Sequence, residues 1–412
     1  MTARPLGIGA GKENHREVWQ IAWPSVATMM LQTINTLMDV FFVGHLPNGK
    51  DALAATGVGG GAIFLLIALA MGVSVGATAL VARFTGAQDH ASAVEAAGQS
   101  ITLSVLLSLF FFGLFFYLRR DVASWLLGGA SSAAAMPLAV SFLTAALIST
   151  TPLFLLNGIM GVFRGLGDTR TPMLIQAAII ATHISLNATL IYGLLGMPRM
   201  GVAGAGTALA SSQFVGAGLY LVALKRRSPL EDALSVSRLK YRPEWAARIL
   251  RVGVPAALQA VLRNLAALSF TGMLARAVEG AAGVAAMQIG IRAEGIAFMP
   301  GFGFSVAAAA LVGQSLGAGE PERAEQCGLA AMWQAIGVMA LMAAGFYVFS
   351  APLAGLFTSD HQVRSLGADY LRVNAFCEPF LGIGMVLTGA LQGAGDTLRP
   401  TLITIFTMWL VR

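Results

Sequence analysis

The chain has 412 residues, 56% of them hydrophobic and only 11% charged, against roughly a quarter charged in an ordinary soluble domain. With a mean hydropathy of +0.73 no long segment is polar enough to fold in water, which excludes a soluble enzyme and equally a soluble domain with a single anchor. Cys327 and Cys377 lie far apart in an apolar chain and give neither a disulfide framework nor metal-ligand spacing.

A helix needs about 20 mostly apolar residues to cross a bilayer. Long apolar runs, rather than two-residue alternation, predict an all-α polytopic membrane protein and not a barrel. Runs between charged or turn-rich breaks predict helices over 18–44, 52–82, 95–118, 137–162, 172–196, 203–225, 249–275, 283–314, 329–350 and 366–391. An eleventh begins near Leu398 and reaches Arg412, too short to cross the hydrocarbon core. The expected organisation is a tail over 1–17, a first lobe over 18–225, a loop over 226–248 and a second lobe over 249–412. The residues up to Glu17 are polar and Pro24 lies in the segment that follows, so no cleavable signal is expected. Assigning Lys and Arg to alternate sides puts sixteen with the N-terminus and six (Lys50, Arg119, Arg120, Arg199, Arg276 and Arg364) opposite. That places the N-terminus in the cytoplasm and the chain in the cell membrane. The net charge of +6 is therefore topological, and nucleic-acid binding, which would need a soluble basic domain, is not expected.

Sliding the chain by 231 residues brings Pro24 onto Pro255, Gly59 onto Gly290, Gly72 onto Gly303, Ser74 onto Ser305 and Gly86 onto Gly317. After a three-residue shift, Gly165-Leu166-Gly167-Asp168-Thr169 meets Gly393-Ala394-Gly395-Asp396-Thr397, with Pro172 on Pro400. An even number of helices per half relates the halves by a pseudo-two-fold axis along the membrane normal, an arrangement associated with alternating-access transporters. By that count the second lobe is incomplete, lacking the end of helix eleven and all of helix twelve. The repeat also acts as a filter: a polar residue shared by both halves reads as scaffold, whereas one present in a single half is a candidate for function. Asp168 and Asp396 are shared and read as turn and cap residues. Asp39 falls opposite Phe270, Glu294 opposite Ile63, Glu378 opposite Thr150 and Arg263 opposite Gln32.

A carboxylate in the hydrocarbon region is costly unless hydrated, paired or protonated, and so marks function by default. Thr28, Gln32, Asn35 and Asp39 fall on one helix stripe expected to face an aqueous cavity. Pro24 below them favours a bend that the charge of Asp39 could control. Glu294 precedes Pro300, a second candidate hinge, and Glu378 directly precedes Pro379. Arg263 and Arg292 are the basic residues deep in second-half helices, available either to the cavity or to static pairs with the glutamates. Gln259, Asn264 and Gln288 add hydrogen-bonding capacity, and His183 and Asn187 stand one turn apart in an apolar run.

Trp23-Pro24, the DVFFVGHL stretch from Asp39 to Leu46, GQSLGAG from Gly313 to Gly319, and the duplicated FRGLGDTRTP (Phe163–Pro172) and LQGAGDTLRP (Leu391–Pro400) together resemble the multidrug and toxic compound extrusion (MATE) family. The resemblance covers essentially the whole chain. It implies twelve helices in two lobes, a central cavity and export of organic cations or drugs in exchange for protons or sodium, with an ion site at Asp39 and a bend at Pro24. It also implies a second-lobe acidic site at Glu294. Where the family's best-defined lobe-one cation site has an Asn and then an Asp, this chain has His183 and Asn187, which removes a hard anionic ligand and favours protons over sodium. No cofactor is expected. The expected partners are small, cationic substrates and the lipid bilayer, and a monomer is expected. The alternative is a lipid-linked oligosaccharide flippase of the same superfamily, whose pyrophosphate cargo calls for more cavity arginines than Arg263 and Arg292. The paired GxGD strings suit an intramembrane protease poorly, because they lie at loop ends and duplication explains them.

Overall fold

The computed structural model describes residues 8–46, 49–127, 135–226, 230–274, 280–358 and 360–411; Arg4, Arg227 and Arg276 lie outside them. Lobe one is built from α1 (Ile8–Gly44), α2 (Gly49–Gly86), α3 (His90–Tyr117), the short α4 (Arg119–Leu127), α5 (Ala135–Leu147), α6 (Thr150–Gly165), α7 (Arg170–Tyr192) and α8 (Val202–Lys225). After a connector containing α9 (Val236–Leu239), lobe two follows with α10 (Pro243–Leu274), α11 (Gly280–Gly317), α12 (Pro321–Val348), α13 (Ser350–Phe357), α14 (His361–Gly393) and α15 (Leu398–Ile405). Among the described residues nine helices are long and apolar enough to cross a membrane, and α5 with α6 forms a tenth, bent span. Helices satisfy their own backbone groups, which is what a bilayer demands of any spanning segment. Phe110, Leu341, Phe376 and Phe380 stay exposed on the outer surface, where lipid replaces water.

The one span that departs from the sequence expectation is 137–162, which bends by 49° between α5 and α6. Its cause is local. Ser149 Oγ donates to the Ala146 carbonyl and Thr150 Oγ1 to the Leu147 carbonyl, each at 2.6 Å, and Pro152 brings no N–H. The hydroxyls thereby take carbonyls that a continuing helix would use. A second difference lies at the start, where α1 begins at Ile8 rather than at 18. The added turns pack on α12: Asn14 Nδ2 donates to Gln326 Oε1, Gln334 Nε2 donates to the His15 carbonyl, and Glu17 pairs with Arg323 at 3.1 Å.

The repeat reappears as contacts. A Cβ on Gly161 would strike the Ser74 carbonyl, and one on the equivalent Gly389 would strike the carbonyl of Ser305, the repeat partner of Ser74. The same holds for Gly165 against Thr78 and Gly393 against Ala309. Between lobes, Gly86 abuts Gln314 while Gly317 abuts Arg83, and Gly72 meets Gly253 while Gly303 meets Ala22. Helix α2 thus packs on α10 in the way that α11 packs on α1, the relation a two-fold axis requires. Small residues allow this backbone approach in a membrane, where burial of apolar surface supplies little drive. In the duplicated motif, Gly167 (φ 79°) and Gly395 (φ 87°) take the left-handed conformation that a side chain would oppose. The neighbouring aspartates cap the next helix, Asp168 accepting from Thr171 N (3.0 Å) and Asp396 from Arg399 N (3.2 Å).

These close cross-lobe contacts gather on the face that carries the N-terminus, here called the N-terminal face. There the connector between lobes is strapped to α3. Buried Glu95 pairs with Arg238 and Arg242, Gln99 Nε2 donates to the carbonyls of Arg238 and Lys240, Gln99 Oε1 accepts from Arg242 N, and Thr102 Oγ1 donates to the Leu239 carbonyl. The segment entering the first helix of each lobe is thus fastened to the third helix of the other. Glu95 and Gln99 are silent in the sequence because their partners lie some 140 residues away in a loop.

Candidate functional site

Three hydrogen bonds zip α1 to α7. Thr169 Oγ1 donates to the Ile21 carbonyl (2.9 Å), His183 Nδ1 donates to Asn35 Oδ1 (2.8 Å) and Asn187 Nδ2 donates to Asp39 Oδ1 (2.5 Å), each pair 148 residues apart. A constant offset means parallel helices in fixed register, so the stripe of α1 and the His183/Asn187 stripe of α7 meet along their length. One turn further, Tyr192 OH donates to the Phe42 carbonyl at 2.8 Å. Near the base, Thr28 turns inward onto the Pro24 carbonyl (2.8 Å), whereas Gln32 is exposed.

The cluster is short of donors. With Nδ1 committed to Asn35, His183 presents Nε2 as a bare lone pair, assigned from the network; it is 3.7 Å from Asp39 Oδ1. Among the described residues buried Nε2 has no hydrogen-bond partner, and neither has Asn187 Oδ1. Acceptors therefore face one another across a gap. One added proton between His183 and Asp39 would turn that repulsion into attraction, and closing the gap to hydrogen-bond length would satisfy a buried polar atom that is costly to leave unpaired. Asp39 is 38% exposed and His183 2%, so the carboxylate is the reachable end of the pair.

Lobe two holds its own acidic site on α11 and α14. Tyr370 OH donates to Glu294 Oε1 at 2.7 Å, and Asn374 Nδ2 donates to Glu378 Oε1 at 3.1 Å. Glu378 is buried with Oε2 unpartnered among the described residues, and it lies within the electrostatic reach of Glu294. The repeat explains how this site arises. In lobe one Gly59 receives the ring of Phe142, and in lobe two the equivalent Gly290 receives the ring of Tyr370. Phe142 and Ile63 belong to one apolar core cluster, so Tyr370 and Glu294 are the polar replacement of an apolar contact. Likewise Asn374 and Glu378 stand where lobe one has Ala146 and Thr150. Tyr370 and Asn374 were missed in the sequence, although extending the same subtraction by four and eight residues before Glu378 would have exposed them.

The remaining candidates separate. Arg263 lies over the ring of Phe298 at 5.5 Å, and among the described residues neither it nor Arg292 forms an ion pair with a glutamate. Gln259 Nε2 donates to Thr404 Oγ1 of α15 (2.8 Å), and Asn264 Nδ2 to the carbonyl of Ala260 in its own helix (2.7 Å). Gln288 and Arg292 are exposed. Helices α1 and α11 run unbroken through Pro24 and Pro300. Among the described residues no group of three His, Cys, Asp or Glu side chains is placed to hold a metal ion.

Two repeat-related helical lobes, joined by glycine contacts and each carrying an acidic site of its own, define a multi-pass membrane transporter. The chain belongs to the MatE family, whose model matches residues 24–189 and 255–412. It is similar to the probable multidrug resistance protein NorM of Thermotoga maritima, 28% identical over 97% of this chain and 84% of that protein. It is also similar to the FAD transporter of Shewanella oneidensis, 28% identical over 95% of this chain and 84% of that one. Among solved structures, the outward-facing conformation of a multidrug resistance MATE family transporter aligns at a TM-score of 0.87 and 25% identity, covering 99% of this chain and 89% of that one.

Proposed function

We propose that this transporter exports small organic cations from the cytoplasm in exchange for protons, with the N-terminal face cytoplasmic. The observation that carries the reading is the His183–Asp39 gap, where a buried imidazole nitrogen with no donor opposes a half-exposed carboxylate. A proton, with closure of the 3.7 Å gap to hydrogen-bond length, satisfies both groups. A sodium ion would take the oxygens of Asp39 and Asn187 but finds a nitrogen at the third position, an inferior ligand for a hard cation. Three carboxylates, Asp39, Glu294 and Glu378, against the ring-stacked Arg263 favour cationic cargo, and the name of the Thermotoga maritima relative, a probable multidrug resistance protein, supports drug-like small molecules. Protonation from outside cancels the charge that holds the cation, and loss of the proton inside restores it; the lobes rock between the two states.

A binding experiment tests this without transport. A fluorescent cationic dye bound to the purified protein is expected to be released as pH falls and to be indifferent to added sodium chloride beyond its ionic-strength effect. Dye retained at low pH, or displaced by sodium and not by protons, overturns the reading. Tyr370→Phe removes a hydrogen bond to a charged acceptor, of the kind worth about 1.5–3 kcal/mol. Dye affinity at neutral pH is therefore expected to drop by roughly tenfold or more, with the ring still seated on Gly290.

A further inference from the structure

Two cavities open on the N-terminal face, related by the repeat but different in charge: the first is balanced and the second basic. The first, about 620 Å³, is lined by Glu17, Gln20, Asp168, Arg170, Gln314 and Arg323 beside the Gly167 turn. The second, about 430 Å³, is lined by Arg83, Arg248 and Arg251 beside the Gly395 turn. In the repeat register Glu17 corresponds to Arg248, Gln20 to Arg251 and Gln314 to Arg83, so one neutral or acidic set has become three guanidinium groups. At the first cavity the chain supplies its own anion: Glu17 of lobe one reaches Arg323 of lobe two at 3.1 Å. At the second, none of the three arginines is paired with a carboxylate among the described residues; Arg248 lies over the Trp245 ring at 5.0 Å. Of the acids nearby, Asp396 pairs with Arg399 and Glu95 with Arg238 and Arg242, while Glu244, one turn before Arg248 on α10, forms no ion pair with the three arginines among the described residues.

Three like charges around one cavity repel unless an anion joins them, and planar guanidinium groups match the tetrahedral oxygens of phosphate. We propose that the second cavity is a binding site for a phosphate-bearing anion that ties lobe one, through Arg83 on α2, to lobe two, through Arg248 and Arg251 on α10. The bound group does from outside what Glu17 does within the chain, and it favours the state in which the N-terminal face is closed. The phosphate comes from an anionic phospholipid headgroup or from a soluble phosphate.

The test uses the full chain in nanodiscs and reads binding and thermal unfolding, so it is independent of whether the cargo is cationic. In phosphatidylcholine discs inorganic phosphate is titrated against chloride at equal ionic strength, and in parallel the discs contain phosphatidylglycerol without phosphate. A rise in the unfolding midpoint with phosphate identifies a soluble anion; a rise with phosphatidylglycerol alone identifies a headgroup. In either arm Arg251→Gln is expected to weaken the response about tenfold. The triple exchange Arg83→Gln, Arg248→Glu, Arg251→Gln, which gives the second cavity the residues of the first, abolishes it. No midpoint shift in either arm, or an equal shift in Arg251→Gln, overturns the proposal, and that single exposed substitution decides the question if the triple variant does not fold.

Discussion

In reconstituted vesicles, Asp39→Asn is expected to reduce proton-driven export of a cationic dye to the level of protein-free vesicles, with the amount of folded protein unchanged. The substitution is isosteric. Its amide oxygen still accepts from Asn187, so the zip between α1 and α7 holds. What is lost is the capacity to carry a charge that one proton cancels. A site with no charge for a proton to cancel cannot cycle. His183→Gln separates the role of the imidazole from that of the carboxylate. It keeps a side chain able to reach Asn35 but removes the titratable ring, so coupling should weaken while dye binding at neutral pH, which depends on the Asp39 charge, persists. Export by Asp39→Asn at the rate of the unaltered protein would contradict the assignment of this aspartate.

Gly317→Val, or equally Gly86→Val, is expected to keep the N-terminal face from closing. A Cβ at either position falls on backbone of the opposite lobe, Arg83 or Gln314, and backbone cannot rotate away as a side chain can. Overpacking of this kind costs about 1–3 kcal/mol, enough to shift a two-state balance roughly 5- to 150-fold. The clash lies between lobes and not within one, so each lobe should stay folded. Cysteine labelling reads the outcome. Ala79 is 4% exposed and lies on α2 beside α10; with the native cysteines replaced, Ala79→Cys should react with a maleimide faster in Gly317→Val than in the parent. Gly113→Val, where an added Cβ meets nothing within 4 Å, should leave labelling unchanged. Equal labelling in all three backgrounds would show that the glycine contacts do not set closure.

The helices and the two-lobe plan were legible because the bilayer leaves few alternatives to an apolar run, and because duplication repeats every close glycine contact at a fixed offset. The α1 stripe was legible from spacing alone, and resemblance supplied its partners His183 and Asn187. Three features were not legible, each for a physical reason. The break between α5 and α6 depends on hydroxyls choosing carbonyls one turn back, a choice that apolar flanks do not reveal. Tyr370 reads as packing in an apolar helix until the repeat shows Phe142 in its place. Gln259 looks like a cavity residue, yet its amide donates to Thr404 of α15, a partner that its own segment does not reveal.

Transport of a cationic dye in vesicles, with proton and sodium gradients imposed separately, bears most directly on the mechanism. Dye flux is expected against an opposing proton gradient with no sodium present, and not with a sodium gradient at uniform pH. Flux that follows sodium and ignores the proton gradient would contradict the role given to the His183–Asp39 pair.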